Sequence, residues 1–340
     1  MNLLSLASAF PESSYSQKEC LVGMQKAQFW NELNPGSRKL LEKVLEGENG
    51  IGKRHFMVEG LADTWRRDAQ GLNEAYEAAA PKLAADAVIK AVEKSGYKME
   101  EVDALFLCSC TGYLCPGVSS YVAEMLGMRE DAFLQDMTGY GCGAAVPLMR
   151  SASNLIADNP ELVVVTVAVE VCSAAFFVED DFGVLISTCI FGDGASAAVW
   201  SGQGGEWKLG DFESLHVPEQ REKIRFTNAQ GRLRNQLHKS VPVHVAEAVK
   251  KLYSKRGSDP QAWITHGGGR DVIEQLENVL PSGELTHVRS VMQDFGNLSS
   301  PSVLVALERF LKGVDNSIDR VWLCAFGAGF SAHSCELVKV

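Results

Sequence analysis

The sequence is short of positive charge. Its 32 lysines and arginines stand against 43 aspartates and glutamates, for a net charge of −11. That balance argues against non-specific nucleic-acid binding and against attachment to anionic membranes, which both demand basic surface. A small basic site for one anionic ligand remains compatible with it. Long hydrophobic runs are also missing: no stretch reaches the ~20 apolar residues that cross a bilayer. The opening segment MNLLSLASAFPESSYSQKE has no basic residue ahead of its short apolar run. It therefore does not read as a signal peptide, and the expected location is cytoplasmic. No short tandem repeat is present.

At 340 residues, 46% apolar and 22% charged, the chain has the profile of an ordinary globular protein. Its length suits about two domain-sized units. The cysteines number nine, an odd count, and most lie inside apolar runs. In a reducing compartment such thiols pack as small hydrophobes. Cys108, Cys110 and Cys115 form a tight cluster, but no second ligand pair follows at a metal-binding spacing, so no metal site is expected.

Short β-rich runs alternate with helical stretches. Strands are expected at Val102–Cys108, Ala132–Met137, Leu162–Val169, Ala195–Trp200, Trp263–His266 and Val321–Ala325. Several are apolar throughout, as sheets covered on both faces require. Helices are expected at Ser37–Glu46, Leu72–Ser95, Val118–Leu126, Ala144–Asp158, Val243–Arg256, Asp271–Asn278 and Ser300–Leu311. Glycine follows three of them, at 47, 96 and 257. The class is α/β. Gly202–Gly205 is the best boundary between two halves, 1–201 and 202–340. Similar glycine-rich turns close both, FGDGASAAVW and AFGAGFSAHSCEL. The charged segment Glu219–Lys239 reads as an exposed, partly irregular excursion.

Three segments place a chemically capable side chain in a turn of small residues. In TGYGCGAA, Cys142 follows a strand and precedes a helix whose first turn accommodates Pro147. A helix N-terminus favours thiolate, the nucleophilic form; the alternative is a small residue filling a tight turn. His266 follows AWIT and precedes three glycines. It suits pairing with a thiolate or donation to an oxyanion, or else is a hydrogen-bonded core histidine. Asn297, in FGNLSSP, offers a neutral amide donor, or simply caps the helix that follows. Together the three point to nucleophilic acyl chemistry, an order that other cysteine enzymes share.

From about Ser37 to Leu337 the chain resembles the type III polyketide synthases, the chalcone synthase-like family of the thiolase superfamily. Asn297-Leu-Ser-Ser-Pro resembles the family's GN(M/L)SS turn, and Phe191-Gly-Asp-Gly-Ala its FGDGAAA turn. Phe326-Gly-Ala-Gly-Phe resembles its GFGPG loop, and Leu114-Cys-Pro116-Gly117 its MPG segment. The resemblance implies a five-layered αβαβα thiolase-like fold built from two related halves, acting as a homodimer without metal or redox cofactor. It makes Cys142 the acyl-carrying nucleophile, with His266 and Asn297 holding the extender's thioester carbonyl. Two such donors contribute roughly 3 kcal/mol each to stabilising an enolate. Phe191 becomes a gatekeeper, and Cys115 stands where a methionine crosses into the partner's cavity. Asn235 replaces a second, aromatic gatekeeper. Cys110, Thr111, Glu170, Cys172 and Ser299 fall on the pocket wall, where each is equally well a core residue. For Glu170, at the end of an apolar strand, a structural role is favoured over a part in the chemistry.

Two turns depart from the family pattern: HPGG is here His266-Gly267-Gly268-Gly269, and GFGPG is Ala325-Phe326-Gly327-Ala328-Gly329. The family's coenzyme A cations do not align cleanly. Arg38, Lys39, Lys43, Lys53 and Arg54 lie in the right region, but Glu48 intrudes; the resemblance makes Gly268 a further coenzyme A contact. Delivery by an acyl carrier protein stays open. The expected activity is acyl transfer with decarboxylative Claisen condensation, from acyl-CoA and malonyl-CoA to a small pyrone or resorcinol. A single-round ketoacyl synthase III-like enzyme, another thiolase-type condensing enzyme and a catalytically silent partner subunit are the alternatives.

Overall fold

The computed structural model describes residues 1–57, 60–65 and 67–340. Its strands are β1 (Asn2–Ala9), β2 (Ser14–Ser16), β3 (Lys53–His55), β4 (Ala104–Cys108), β5 (Phe133–Met137), β6 (Val164–Glu170) and β7 (Gly194–Ser201). They continue with β8 (Trp207–His216), β9 (Ile224–Ala229), β10 (Arg232–Leu237), β11 (Ala262–Thr265), β12 (Arg320–Gly327) and β13 (Ser331–Lys339). Nine join in the order β11-β12-β13-β8-β1-β7-β6-β4-β5.

The order contains one pattern twice. On one wing β5, β4 and β6 are parallel, with β7 and then β1 antiparallel. On the other β11 and β12 are parallel, with β13 and then β8 antiparallel. Within the sheet, among the described residues, the wings are joined by Asn2 and Leu3 of β1, paired with Lys208 and Trp207 of β8. Gly202–Gly205 lies between β7 and β8, at this junction.

The helices Ala145–Asp158 and Ser302–Lys312 each contact strands of both wings and form the central layer. Ala69–Ser95 and Val118–Leu126 cover one outer face; Val241–Tyr253 covers the other, with Arg270–Val279 packed on it. The architecture is the expected five layers. Strands packed on both faces must be apolar along their length. β4 and β7 are buried at every residue, and so is β6 up to its last residue, Glu170.

The expected strands and helices recur with ends shifted by up to three residues. Two details differ. The helix expected to stop at Gly257 ends at Tyr253. The segment Glu219–Lys239 is not irregular: after a short 3-10 stretch, β9 and β10 form an antiparallel hairpin. Its charged residues mask an alternation that turns Phe226, Leu233 and Asn235 toward the site.

Candidate active site

Cys142 sits in a one-turn 3-10 helix, Gly141–Gly143, between β5 and the helix Ala145–Asp158. The turn lies backbone to backbone on the loop after β12. A Cβ on Gly327 would fall 2.6 Å from the amide nitrogen of Gly143 and 2.9 Å from that of Cys142. Glycine there lets the loop brace the nucleophile from behind.

His266 leaves the end of β11, and its backbone N–H donates to Cys324. Its ring lies 5.0 Å from that of Phe326. Nδ1 is buried without a partner among the described residues, which leaves Nε2 as the nitrogen open to the cavity. Asn297 is oriented by its own turn: Oδ1 accepts from Ser299 N at 2.8 Å, and Nδ2 donates to Gly268 O at 2.8 Å. One amide hydrogen remains for a ligand. The three residues come from separate segments and line one cavity of about 320 Å³.

Glu170 forms a polar hub beneath the nucleophile. It accepts from Ser300 Oγ at 2.6 Å, from Thr111 Oγ1 and Cys110 N at 3.0 Å, and from Ser299 Oγ at 3.3 Å. Ser299 Oγ also lies 3.1 Å from Cys142 Sγ, so its one hydroxyl proton serves either the carboxylate or the sulfur. The φ of Ser299 is +58°, a region that side chains avoid and that persists where surroundings enforce it. Burial raises the Glu170 carboxyl against the hydrogen bonds from Ser300, Cys110 and Thr111.

Burial opposes the thiolate that a helix N-terminus favours. Burial pushes the Cys142 thiol up to about 12; the Ser299 hydrogen bond opposes this and the Glu170 charge adds to it. Burial likewise pushes His266 down to about 3. Both groups are therefore neutral near pH 7, and desolvation outweighs the helix terminus. Alkylation of Cys142 by iodoacetamide is expected to keep accelerating above pH 8, by about tenfold per pH unit while the thiol remains mostly protonated. A rate that levels off below pH 7, followed by intact mass, would instead establish a preformed thiolate–imidazolium pair.

Phe191 lines this outer cavity and also a smaller inner one of about 30 Å³. Cys110, Thr111, Cys172, Ser299 and Asn235 lie on the inner wall. Cys115 is on neither: it is exposed and borders a surface groove that shares Phe226 with both cavities. Cys108 is buried in β4, Cys110 is half-buried and Cys115 is exposed.

The coenzyme A assignments divide. Gly268 lines the outer cavity, but from the Arg38–Arg54 region the wall takes Val44 and Asn49, rather than Arg38, Lys39, Lys43 or Lys53. Arg54 is a correction. It is 0% exposed and donates to Gln17 Oε1, to Thr188 O and to Phe191 O at 2.7–2.9 Å. A guanidinium committed to buried carbonyls cannot meet a phosphate. Arg54→Ala is expected to cost about 3 kcal/mol, because those acceptors lose their donor. The melting temperature should fall by several degrees; weaker coenzyme A binding at unchanged stability would reverse the assignment. Besides His266, the basic groups on the cavity wall are Arg225, His238, Lys239 and Arg270. The sequence reading missed them and Phe226, because the hairpin and the helix start that carry them were not placed over the site.

Residues 8–222 match the family described as FAE1/type III polyketide synthase-like protein, and residues 215–335 match the C-terminal domain of chalcone and stilbene synthases. The 3,5-dihydroxyphenylacetyl-CoA synthase of Streptomyces toyocaensis is 27% identical over 332 residues, covering 91% of this chain and 82% of the relative. That of Amycolatopsis balhimycina is 30% identical, covering 73% and 72%. The crystal structure of 1,3,6,8-tetrahydroxynaphthalene synthase from Streptomyces coelicolor superposes with a TM-score of 0.88 at 25% identity, covering 100% of this chain and 99% of that one. A polyketide synthase from the brown alga Ectocarpus siliculosus shares the fold, with a TM-score of 0.89 at 22% identity. With the thiol, imidazole and amide gathered at one cavity of this fold, the chain belongs to the FAE1/type III polyketide synthase-like family of acyltransferases.

Proposed function

We propose that the enzyme loads an acyl starter from coenzyme A onto Cys142 and extends it by decarboxylative Claisen condensation with malonyl-CoA. The carrying observation is the convergence of Cys142, His266 and Asn297 on one cavity. As the thioester binds, Nε2 of His266 takes the thiol proton and Cys142 attacks, expelling coenzyme A as its thiolate. Malonyl-CoA then loses carbon dioxide, and its enolate oxygen is held by the Nε2–H so formed and by the free amide hydrogen of Asn297. A neutral amide is suited to this, since it does not protonate the carbanion. The enolate carbon attacks the acyl-Cys142 thioester and expels the thiolate. Acyl-CoA and malonyl-CoA are substrates, and no metal or redox cofactor takes part. The product is a small pyrone or resorcinol, in keeping with relatives named for alpha-pyrone synthesis and for 3,5-dihydroxyphenylacetyl-CoA.

The enzyme works as a cytoplasmic homodimer. β5 ends the sheet, and Phe133 on it is 52% exposed, with Tyr113 and Met125 exposed nearby in sequence. An apolar sheet edge calls for cover, and a second copy brings Cys115 toward its partner's site. Arg225, Lys239 and Arg270 favour coenzyme A as the carrier, with an acyl carrier protein as the competing donor. Intact mass after incubation with acyl-CoA starters, with and without malonyl-CoA, tests the proposal. A Cys142 adduct and products containing two or more malonyl units are expected. A single extension would instead mark a one-round condensing enzyme, and no adduct from any coenzyme A thioester would reject this route.

A further inference from the structure

The outer and inner cavities share three wall residues: Phe191, Phe226 and Asn235. The first two are aromatic. Asn235 is buried, on β10, directly opposite Phe226 on β9. Its orientation is fixed from behind. Ser187 Oγ donates to Gly183 O at 2.6 Å, one turn back on the helix Phe182–Ile190. That uses its single proton, so it accepts from Asn235 Nδ2 at 2.7 Å. The atom facing Ser187 is therefore the amide nitrogen. One amide hydrogen and the Oδ1 lone pairs are left over at a neck whose other walls are aromatic. An isolated, oriented polar group in an apolar constriction is how a pocket selects a polar feature of its ligand.

The inner cavity, about 30 Å³, equals two or three water positions at about 10–15 Å³ each. Ser299, whose Oγ lies 3.1 Å from Cys142 Sγ, shares the wall of this small cavity with Asn235, so a chain anchored on Cys142 meets Asn235 within a few atoms. The first polar atom beyond the thioester carbonyl of an extended chain is its 3-keto oxygen, whereas a saturated acyl group has none.

We infer that Asn235 is a specificity-determining residue that donates its free amide hydrogen to the 3-keto oxygen of a short β-ketoacyl chain as that chain enters the neck. A saturated chain of equal length leaves the amide desolvated and unpaired, which is costly and hence discriminating. The inference rests on the condensation proposed above and specifies which acyl chains that site retains for another round.

The test uses the full-length enzyme and two four-carbon probes, acetoacetyl-CoA and butyryl-CoA, differing in the 3-keto group. Second-order rates of Cys142 acylation are read by intact mass. The wild type is expected to prefer acetoacetyl by about tenfold or more. Asn235→Leu, nearly isosteric, should bring the ratio close to one. Ser187→Ala, which releases the amide but keeps it, should lower the ratio at least about threefold. A purely structural role would slow both probes equally and leave the ratio unchanged, which would overturn the inference. If Asn235→Leu does not fold, Ser187→Ala and Asn235→Ser carry the same comparison. Failure of the wild type to accept either probe would reject the condensation reading itself, and this inference with it.

Discussion

Replacing Cys142 by alanine is expected to abolish acylation of the protein and to reduce product formation by on the order of 10⁴-fold or more, the scale seen when an enzyme loses its nucleophile. No other thiol is placed to substitute. Cys110 and Cys172 lie on the inner wall, and burial raises both well above the ordinary thiol range, with the Glu170 charge acting in the same direction. Cys115 is exposed and lines neither cavity. Intact mass gives a direct readout: the acyl adduct disappears. Decarboxylation of malonyl-CoA should fall far less, because the imidazole and amide that hold the enolate do not involve the thiol. An adduct persisting in Cys142→Ala would show that another residue carries the chain.

The second large effect concerns the enolate. Asn297→Ala removes the one donor whose direction is set by a backbone turn, through Ser299 N and Gly268 O. Loss of a single oxyanion donor costs about 3 kcal/mol, or 10²–10³ in rate. Malonyl-CoA decarboxylation should therefore drop by two to three orders of magnitude, with starter loading much less affected. Asn297→Asp is expected to be at least as severe, since a carboxylate offers no donor and repels the developing negative charge. His266→Ala should impair both steps, because the imidazole serves loading as base and decarboxylation as donor. Carbon dioxide release measured separately from adduct formation resolves these roles. Normal decarboxylation in Asn297→Ala would remove it from the mechanism.

These two results depend on residues already visible in the sequence. Cys142, His266 and Asn297 were legible because each lies in a turn of small residues beside a strand or helix of strong pattern. The core strands were legible for the same reason: a run such as LVVVTVAV has few options except burial between two layers. Other elements were not. The hairpin β9–β10 is rich in charge, and its two-residue period is carried by residues half covered by the body of the protein rather than by a plainly apolar face. β1 was missed although its run is apolar, because its partners, β7 and β8, lie some two hundred residues away.

Arg54 shows the limit from the other side. By composition it belongs with Lys53 and Lys43 as a candidate phosphate ligand. In the fold it points inward, and two carbonyls from the helix Phe182–Ile190 and the residue after it supply its acceptors. No local pattern encodes that partnership. Asn235 was similarly legible as a change of residue type but not as an oriented donor, since its direction is fixed by Ser187 and Gly183 from another segment.

The sequence by itself determined the alternation of strands and helices and offered Cys142, His266 and Asn297 as candidates, because periodicity, glycine turns and side-chain chemistry are properties of short stretches. The tertiary structure alone decided the neutral resting state of Cys142 and His266, the burial of Arg54, the basic rim of the cavity and the division of the cavity at Asn235. Desolvation and hydrogen-bond satisfaction are set by what packs around a group, and here those neighbours come from distant parts of the chain.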